Sequence, residues 1–566
     1  MYYHKILVIG GGLAGLRAAI ECAPKADTAI ISQVHPVRSH SGAAQGGVNA
    51  SLANNPAAKD DNWEKHAFDT TKGSDYLADQ DAVEFMTKEA GPCIYEIEHW
   101  GCPFSRTDDG KIAQRPFGGA GYPRTCFATD KTGMYMLHTL WERSVKLDIP
   151  LYEDRVMVDL VLEAGAVRGV ICFNLRTGEL EQFMAEAVII ASGGSGQIYG
   201  RSTNALISTG SAQSACYRRG VPLKDMEFVQ FHPTSLFGTN ILMTEGARGE
   251  GGYLVNSQGE RFMSKYAAKA MELAPRDIVS RSIQTEINEG RGIDGKDYVH
   301  LDLRHLGRQK ILERLPGIRD LAINFVGVDP IEKPVPIQPG QHYTMGGIDT
   351  DIDGATKFNG LYAAGECGCV SVHGANRLGG NSLLDTVVFG KRCGQVAAEY
   401  VLSKKAFKEG EAAMNKCLRE TRDRLDAMLA RKGTENHADI RAEMKETMIT
   451  KVGIYRDKAP MEEALAKIRE LKARYANITV QNKGKGYNID LVRAIEIEGM
   501  LDVAEAIVVG ALKREESRGA HSRLDFKERD DTKFLQHTIA TYSPKGPVIT
   551  YSPVKITRFK PEARRY

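Results

Sequence analysis

Hydrophobic and polar positions near the start of the chain follow first one period and then another. Residues 5–9 (KILVI) form a short apolar run, as expected of a strand buried on both faces of a parallel sheet. Leu13–Cys22 switches to helical spacing, and Thr28–Ser32 returns to an apolar run that predicts the next strand. Gly10, Gly12 and Gly15 lie between the first strand and the helix in GxGxxG spacing. In this context the glycines make the turn, and the helix N-terminus faces a diphosphate. Residues 187–196 (AVIIASGGSG) and 360–366 (GLYAAGE) repeat the strand-to-glycine junction, the second close to a glycine-rich helix start at 378–384. Junctions so far apart predict one Rossmann-like α/β nucleotide fold interrupted by an insertion, read here as an α+β capping domain.

Beyond about residue 404 the composition shifts to Glu, Lys, Arg, Ala and Leu. Met461, Leu465, Ile468, Leu471 and Tyr475 fall on one helical face, and Ile497, Leu501, Ala504, Ile507, Val508 and Ala511 repeat the period within 490–512. Residues 477–488 are a polar connection between two helices. The last fifty residues are rich in Arg, Asp and Pro, with short β-prone runs. The predicted organisation is 1–231 plus 342–404 for the nucleotide-binding domain, 232–341 for the cap, 405–513 for a helical domain and 514–566 for a small C-terminal domain. A chain of 566 residues is too long for a single core, which supports several domains.

A net charge of +2 with dispersed basic residues gives no reason to expect nucleic acid or an anionic membrane as partner. The basic tail at 558–565 reads as a solvated or subunit-docking end. Ten cysteines occur without a CxxC pair, and Cys367-Gly368-Cys369 has the wrong spacing for zinc or redox chemistry. No metal site is expected, and the thiols read as buried and reduced. No run approaches the ~20 apolar residues of a membrane span. The first strand begins by about Lys5, so no targeting peptide is expected, and membrane attachment would come through partners.

The glycine loop alone does not choose between NAD and FAD. An acidic residue that would hold a ribose is expected after the second strand, yet Ser32-Gln33 stands there; the Ser32 hydroxyl can still bond a ribose. The segment Arg38-Ser39-His40-Ser41-Gly42-Ala43-Ala44-Gln45-Gly46-Gly47 is more informative. Its neighbours to His40 are small, as backbone lying against a flat isoalloxazine ring requires. Four further clusters carry cations or hydroxyls beside glycine or proline: 230–234 (QFHPT) with 244–252 (TEGARGEGG), 275–277 (PRD), 342–347 (HYTMGG) and 373–382 (HGANRLGGNS).

With these motifs in this order the chain resembles the flavoprotein subunits of succinate dehydrogenase and fumarate reductase, from the first strand into the C-terminal region. The resemblance implies FAD bonded covalently through the flavin 8α carbon to His40. Related L-aspartate oxidases lack that histidine, which argues against the reading as a soluble oxidase. It further implies that Gly10, Gly12, Gly15, Ser32, Ser41, Gln45, Gly46, Gly47, Ala191, Gly193, Glu366, Arg377, Ser382, Leu383 and Leu384 surround the cofactor. Arg377 and His342 would bind one carboxylate of a four-carbon diacid, with His232 and Thr244 at the other. A dianion requires donors at both ends, and arginine offers a planar fork for carboxylate. Arg276 matches the proton-transferring arginine, with Glu245 and Arg248 as its relay; the alternative is that Arg276 only clamps substrate. Arginine pKa values lie above ~12, so the role is easier to accept as proton donation to fumarate.

The implied activity is oxidation of succinate to fumarate by hydride transfer to FAD. Electrons would pass to an iron–sulfur subunit and on to quinone through membrane-anchor subunits, at the cytoplasmic side of the inner membrane. Fumarate reduction is the alternative direction; some dedicated reductases carry Glu where Gln45 stands. The run Thr209-Gly210-Ser211-Ala212 departs from the family's usual T-G-D-G, which puts one cofactor hydrogen bond in doubt. Residues 516–523 and 529–531 match C-terminal family motifs and read as an interdomain salt-bridge network.

Overall fold

The computed structural model describes residues 1–403 and 410–564. Its central sheet is organised around the strand Leu180–Ile190, which pairs in parallel with Tyr2–Ile9. On the opposite edge this strand is divided: residues 180–184 pair antiparallel with Ala166–Asn174, and residues 188–190 pair in parallel with Leu361–Ala363. Thr28–Ser32 and Leu151–Glu153 extend the parallel side, and Arg155–Glu163 completes the antiparallel side. The turn between Tyr2–Ile9 and the helix Leu13–Cys22 needs glycine at residue 10. Its φ is +118°, and a Cβ there would lie 2.2 Å from the Ala191 carbonyl oxygen. The helix Asn381–Leu402 crosses Leu13–Cys22 closely, since a Cβ at Gly394 would lie 2.5 Å from the Ala18 carbonyl oxygen.

The insertion is an antiparallel sheet of Val229–Leu236, Val335–Thr344, Val299–Asp302 and Tyr253–Val255, packed with the helices Arg276–Glu286, Arg308–Arg314 and Pro316–Val326. Its apolar cluster, from Leu236 to Ile337, is distinct from the two clusters of the central sheet. The strands Val229–Leu236 and Val335–Thr344 run through residues 231–232 and 341–342, so a continuous two-stranded ribbon joins the cap to the rest. Asp130 holds the cap from the nucleotide-binding side, its Oδ2 accepting from the N–H groups of Gly317 (2.7 Å) and Ile318 (3.1 Å) at the start of Pro316–Val326.

The helices expected at 461–475 and 490–512 are Lys458–Tyr475 and Ile489–Lys513. Ile489–Lys513 is apolar nearly all round because it is enclosed: Ile497, Leu501, Ile507 and Val508 share one cluster with Leu7, Ile171 and Val188 of the sheet. The helical region thus has no core apart from that sheet. Its expected boundary at residues 404–405 lies outside the described residues.

The C-terminal segment is likewise built in. Gln536–Thr541 pairs with Leu223–Lys224 and with Val548–Pro553, in a sheet that includes Gly347–Asp349 and Gly368–Cys369. His537 sits buried between Asp225 (2.7 Å) and Asp79 (3.2 Å). The basic tail docks on its own chain: Gln80 Oε1 accepts from the N–H groups of Thr557, Arg558 and Phe559, and Arg564 pairs with Asp277 at 2.7 Å. Arg565 lies outside the described residues. The Arg514–Glu227 and Arg529–Asp75 ion pairs, with Arg518 Nη1 donating to the Asp75 carbonyl oxygen at 3.0 Å, tie the motifs at 514–531 to the nucleotide-binding part. Among the described residues no helix is long and apolar enough to cross a membrane.

Candidate active site

An elongated cavity runs between the central sheet and the cap. One end is lined by Ile31, Ser32, Gln33 and Ile207–Ala212 residues, the middle by Gly10–Leu13 and Ala191–Gly194 residues, and the other end by His40–Gly47 residues with the cap. Two helix N-termini, Gly12-Leu13 and Gly380–Leu383 residues, line it, which suits an elongated group carrying phosphates and an electron-rich ring. Ser39 Oγ, Gln45 Oε1, Ser192 Oγ and Arg377 Nε are buried on this wall without a partner among the described residues. Such orphaned donors and acceptors mark places for a polar ligand, and the residues present fit FAD.

Of the sequence-predicted site residues, Gly10, Gly12, Ser32, His40, Ser41, Gln45, Gly46, Gly47, Ala191, Gly193, His232, Thr244, Glu245, Arg276, His342, Glu366, Arg377, Ser382 and Leu383 line the cavity. Three do not. Gly15 lies one turn into the helix, where a Cβ would meet the Gly10 carbonyl oxygen at 1.9 Å, so it serves helix–turn packing. Leu384 belongs to the apolar core. Arg248 is buried behind Glu245, 3.8 Å from its carboxylate. Ser32 lines the wall but donates its hydroxyl proton to the Val34 carbonyl at 2.6 Å, leaving its lone pairs as acceptors. Ser41 Oγ accepts from Leu13 N–H at 3.2 Å.

His40 stands at the N-terminus of a single 3₁₀ turn, His40–Ala43. Ala205 N–H donates to its Nδ1 at 3.3 Å, and the Asn204 amide nitrogen lies 3.2 Å from Nε2. Burial pushes the imidazole down to about 4, so it is neutral at physiological pH. His342 owes its position to a β-bulge. Gln230 and Phe231 pair with Tyr343 and Gln341, which leaves His342 unpaired between them and re-aimed. Its Nδ1 meets Thr203 Oγ1 at 2.7 Å, and its ring centroid is 4.9 Å from that of His232. Thr234 fixes His232 through Nδ1, with its carbonyl oxygen at 3.1 Å and its N–H at 3.2 Å. Burial holds both rings well below the usual histidine value. His342 next feels its neighbour His232 and then Arg276, while His232 next feels Arg276 and Arg248.

Thr244 caps the short helix Glu245–Gly249, its hydroxyl accepting from Gly246 N–H. Arg276 opens the helix Arg276–Glu286 and donates Nε to Glu245 Oε2 at 2.6 Å. Burial would raise the Glu245 carboxyl, but Arg276, Arg248 and the Gly118 N–H overcome it and hold it ionised below its usual value. Arg377 has a different environment. It bonds Ser382 Oγ (3.1 Å) and Gln230 Oε1 (3.0 Å), stacks 4.5 Å over the Tyr343 ring, and has no carboxylate partner among the described residues. Burial, and then Arg276, bring its guanidinium down to about 9, so it stays charged. Glu366, accepting from Thr344 N–H at 3.0 Å, is pushed up to about 7 by burial.

The site therefore gathers three guanidinium groups around one firmly ionised carboxylate, with neutral histidines between them. An excess of buried positive charge beside a cleft whose lining fits FAD points to a flavin-dependent oxidoreductase. Comparison with known proteins narrows this. An FAD binding domain model matches residues 5–383, and a fumarate reductase flavoprotein C-terminal model matches residues 441–566. A Mycobacterium tuberculosis fumarate reductase flavoprotein subunit is 45% identical, over 100% of this chain and 99% of its own. A Rickettsia bellii succinate dehydrogenase flavoprotein subunit is 44% identical, over 99% and 97%. The structure of an E. coli quinol fumarate reductase Glu-to-Gln variant superposes with a TM-score of 0.96 at 42% identity, over 99% and 98%. The chain belongs to the succinate dehydrogenase/fumarate reductase flavoprotein family and is an FAD-dependent oxidoreductase.

Sequence reasoning alone did not single out Gln230, Tyr343, Thr203 or Asn204 as parts of the site. Pro233 and Pro339 lie within the ribbon's second register shift, between His232 and Ser235, and proline inside a strand is a signal of such irregularity.

Proposed function

We propose that this chain oxidises succinate to fumarate at FAD held covalently by His40, and that electrons leave to an iron–sulfur subunit and then to quinone. Family relatives carry both names, so the direction rests on Gln45 standing where some dedicated reductases have Glu. Fumarate reduction is the second reading. Assembly with membrane-anchor subunits would place the chain peripherally at the cytoplasmic side of the inner membrane.

The observation that carries the proposal is the His40 imidazole lining one end of the same cavity as Arg276 and Arg377. Its Nδ1 already accepts the Ala205 N–H. A neutral ring substituted at Nε2 keeps an Nδ1 lone pair, so the tether and this hydrogen bond are compatible. FAD bound here supplies a two-electron acceptor for a hydride from a succinate methylene. Arg377 and His342 bind one substrate carboxylate, and His232 and Thr244 bind the other. Arg276 moves the proton: its guanidinium donates to substrate carbon during fumarate reduction and is reprotonated from solvent along the relay of Arg248 and Glu245, while succinate oxidation reverses these steps. Glu245 is ionised at rest and stabilises the charged Arg276, and it carries the proton only transiently as that proton passes to or from Arg276.

His40→Ser tests the tether. Flavin in the acid-precipitated protein should become extractable, and succinate oxidation should be abolished while fumarate reduction is partly spared. Full succinate oxidation by this variant would refute the role given to His40.

A further inference from the structure

Gln230 lies fully buried on the ribbon strand two residues before His232, opposite Tyr343. Its Oε1 accepts from two arginines at once: Arg377 Nη2 at 3.0 Å and Arg276 Nη1 at 3.3 Å. Its amide nitrogen donates to Asn376 Oδ1 and to the Arg377 carbonyl oxygen, both at 2.8 Å. The amide orientation is thereby determined. Flipping it would turn an NH₂ group against two guanidinium donors and its oxygen against two acceptors. Asn376 in turn donates to Asp277 Oδ1 at 3.1 Å, in the cap helix that begins with Arg276. One side chain thus links the substrate arginine of the nucleotide-binding part to the proton-transferring arginine of the cap.

We propose that Gln230 is a positioning residue that spaces Arg276 and Arg377 across the diacid site while leaving both guanidinium charges available to the substrate. This inference rests on the functional reading above. Two guanidinium groups brought onto one acceptor repel each other, and a carboxylate at this position would hold them more strongly. It would also cancel a charge that a dianionic substrate needs, whereas the neutral amide holds both arginines and cancels none. The charged and titratable groups around it are Arg276, Glu245 and Asp277 from the cap, Arg377 from the 373–382 segment, His232 on its own strand, and Tyr343 and His342 on the paired strand. Glu245 is engaged with Arg276 and Asp277 with Arg281 and Arg564, so neither carboxylate substitutes for the amide oxygen at Arg377.

The test compares Q230E and Q230M with the unaltered protein in the assembled complex, after acid-stable flavin content has shown each to be folded. For Q230E, KM for succinate and fumarate should rise at least tenfold at pH 8, with a smaller fall in kcat. Two guanidinium groups would hold the new carboxyl ionised, as Arg276 and Arg248 hold Glu245, so the defect should persist across the working pH range. Q230M keeps the volume but removes the acceptor, so kcat and KM should both deteriorate by similar factors at all pH values. The proposal is overturned if Q230E leaves KM within twofold, or if its kcat and KM change by the same factors as those of Q230M. Failure of the unaltered protein to bind malonate or turn over either diacid would instead overturn the functional reading, so the two failures are distinguishable.

Discussion

Arg276 and Arg377 are one residue type in one pocket, yet their surroundings assign them different work. Arg276 is engaged by Glu245 at 2.6 Å, whereas Arg377 has only neutral partners, Ser382, Gln230 and the Tyr343 ring. An arginine already coupled to a carboxylate is suited to exchanging a proton, and one without an acid is suited to receiving a carboxylate. Arg276→Gln should therefore lower kcat in both directions by about 10²–10⁴-fold with a much smaller effect on malonate binding. Steady-state rates with malonate titrations separate the two. A rise in KM with kcat nearly unchanged would mean that Arg276 only clamps substrate. Much of this was legible in the sequence, because His40, His232, Arg276, His342 and Arg377 stand beside glycines and prolines in a recognisable order. Gln230 and Tyr343 fall within the 230–234 and 342–347 clusters without a role of their own, since each is an ordinary strand residue until a partner strand brings it against Arg377. Ser32 shows the converse: its position suggested a ribose donor, but its own turn takes that proton.

At the scale of elements, two contacts fasten segments that are distant in sequence. Asp130 supplies the helix Pro316–Val326 with the N-terminal acceptor that its own preceding residue, Leu315, cannot provide. Removing such a cap costs about 1 kcal/mol. Because the contact joins cap to nucleotide-binding part, Asp130→Ala should raise KM for the diacid roughly fivefold, the same energy expressed as an equilibrium constant. An unchanged KM would mean that this contact does not help to hold the cap over the site. The second contact is the His537 triad. Burial opposes a charge there, but Asp225 and Asp79 prevail and raise the imidazole to about 9. A folded-state value above the unfolded ~6.5 gives stability that is fully present below pH 6.5 and lost as pH rises through about 9. The loss is on the order of 3 kcal/mol. Thermal unfolding midpoints should fall across this window, and His537→Gln should flatten the fall; an equal slope in the variant would contradict the assignment. The early strands and the long helices were readable from periodicity. The meander of Arg155–Glu163 and Ala166–Asn174, and the insertion of Gln536–Thr541 between strands from residues 223 and 548, depend on long-range pairing that local pattern does not encode.

Across the whole molecule, the N-terminal glycine turn, the inserted cap and the 364–386 segment converge on one cavity, with cofactor and substrate ends in line. The helices of 411–513 pack on the central sheet, and Gln536–Thr541 joins the sheet that holds Leu223–Lys224. A cleft with helix N-termini along its length and excess guanidinium charge at one end accounts for both an FAD cofactor and a diacid substrate. The most direct measurement follows flavin absorbance while malonate is titrated into the FAD-loaded chain in its complex. The account predicts a saturable spectral change that succinate and fumarate displace and that Arg377→Gln abolishes. A flavin spectrum indifferent to malonate, or an Arg377→Gln variant that binds it as tightly as the unaltered protein, would contradict it.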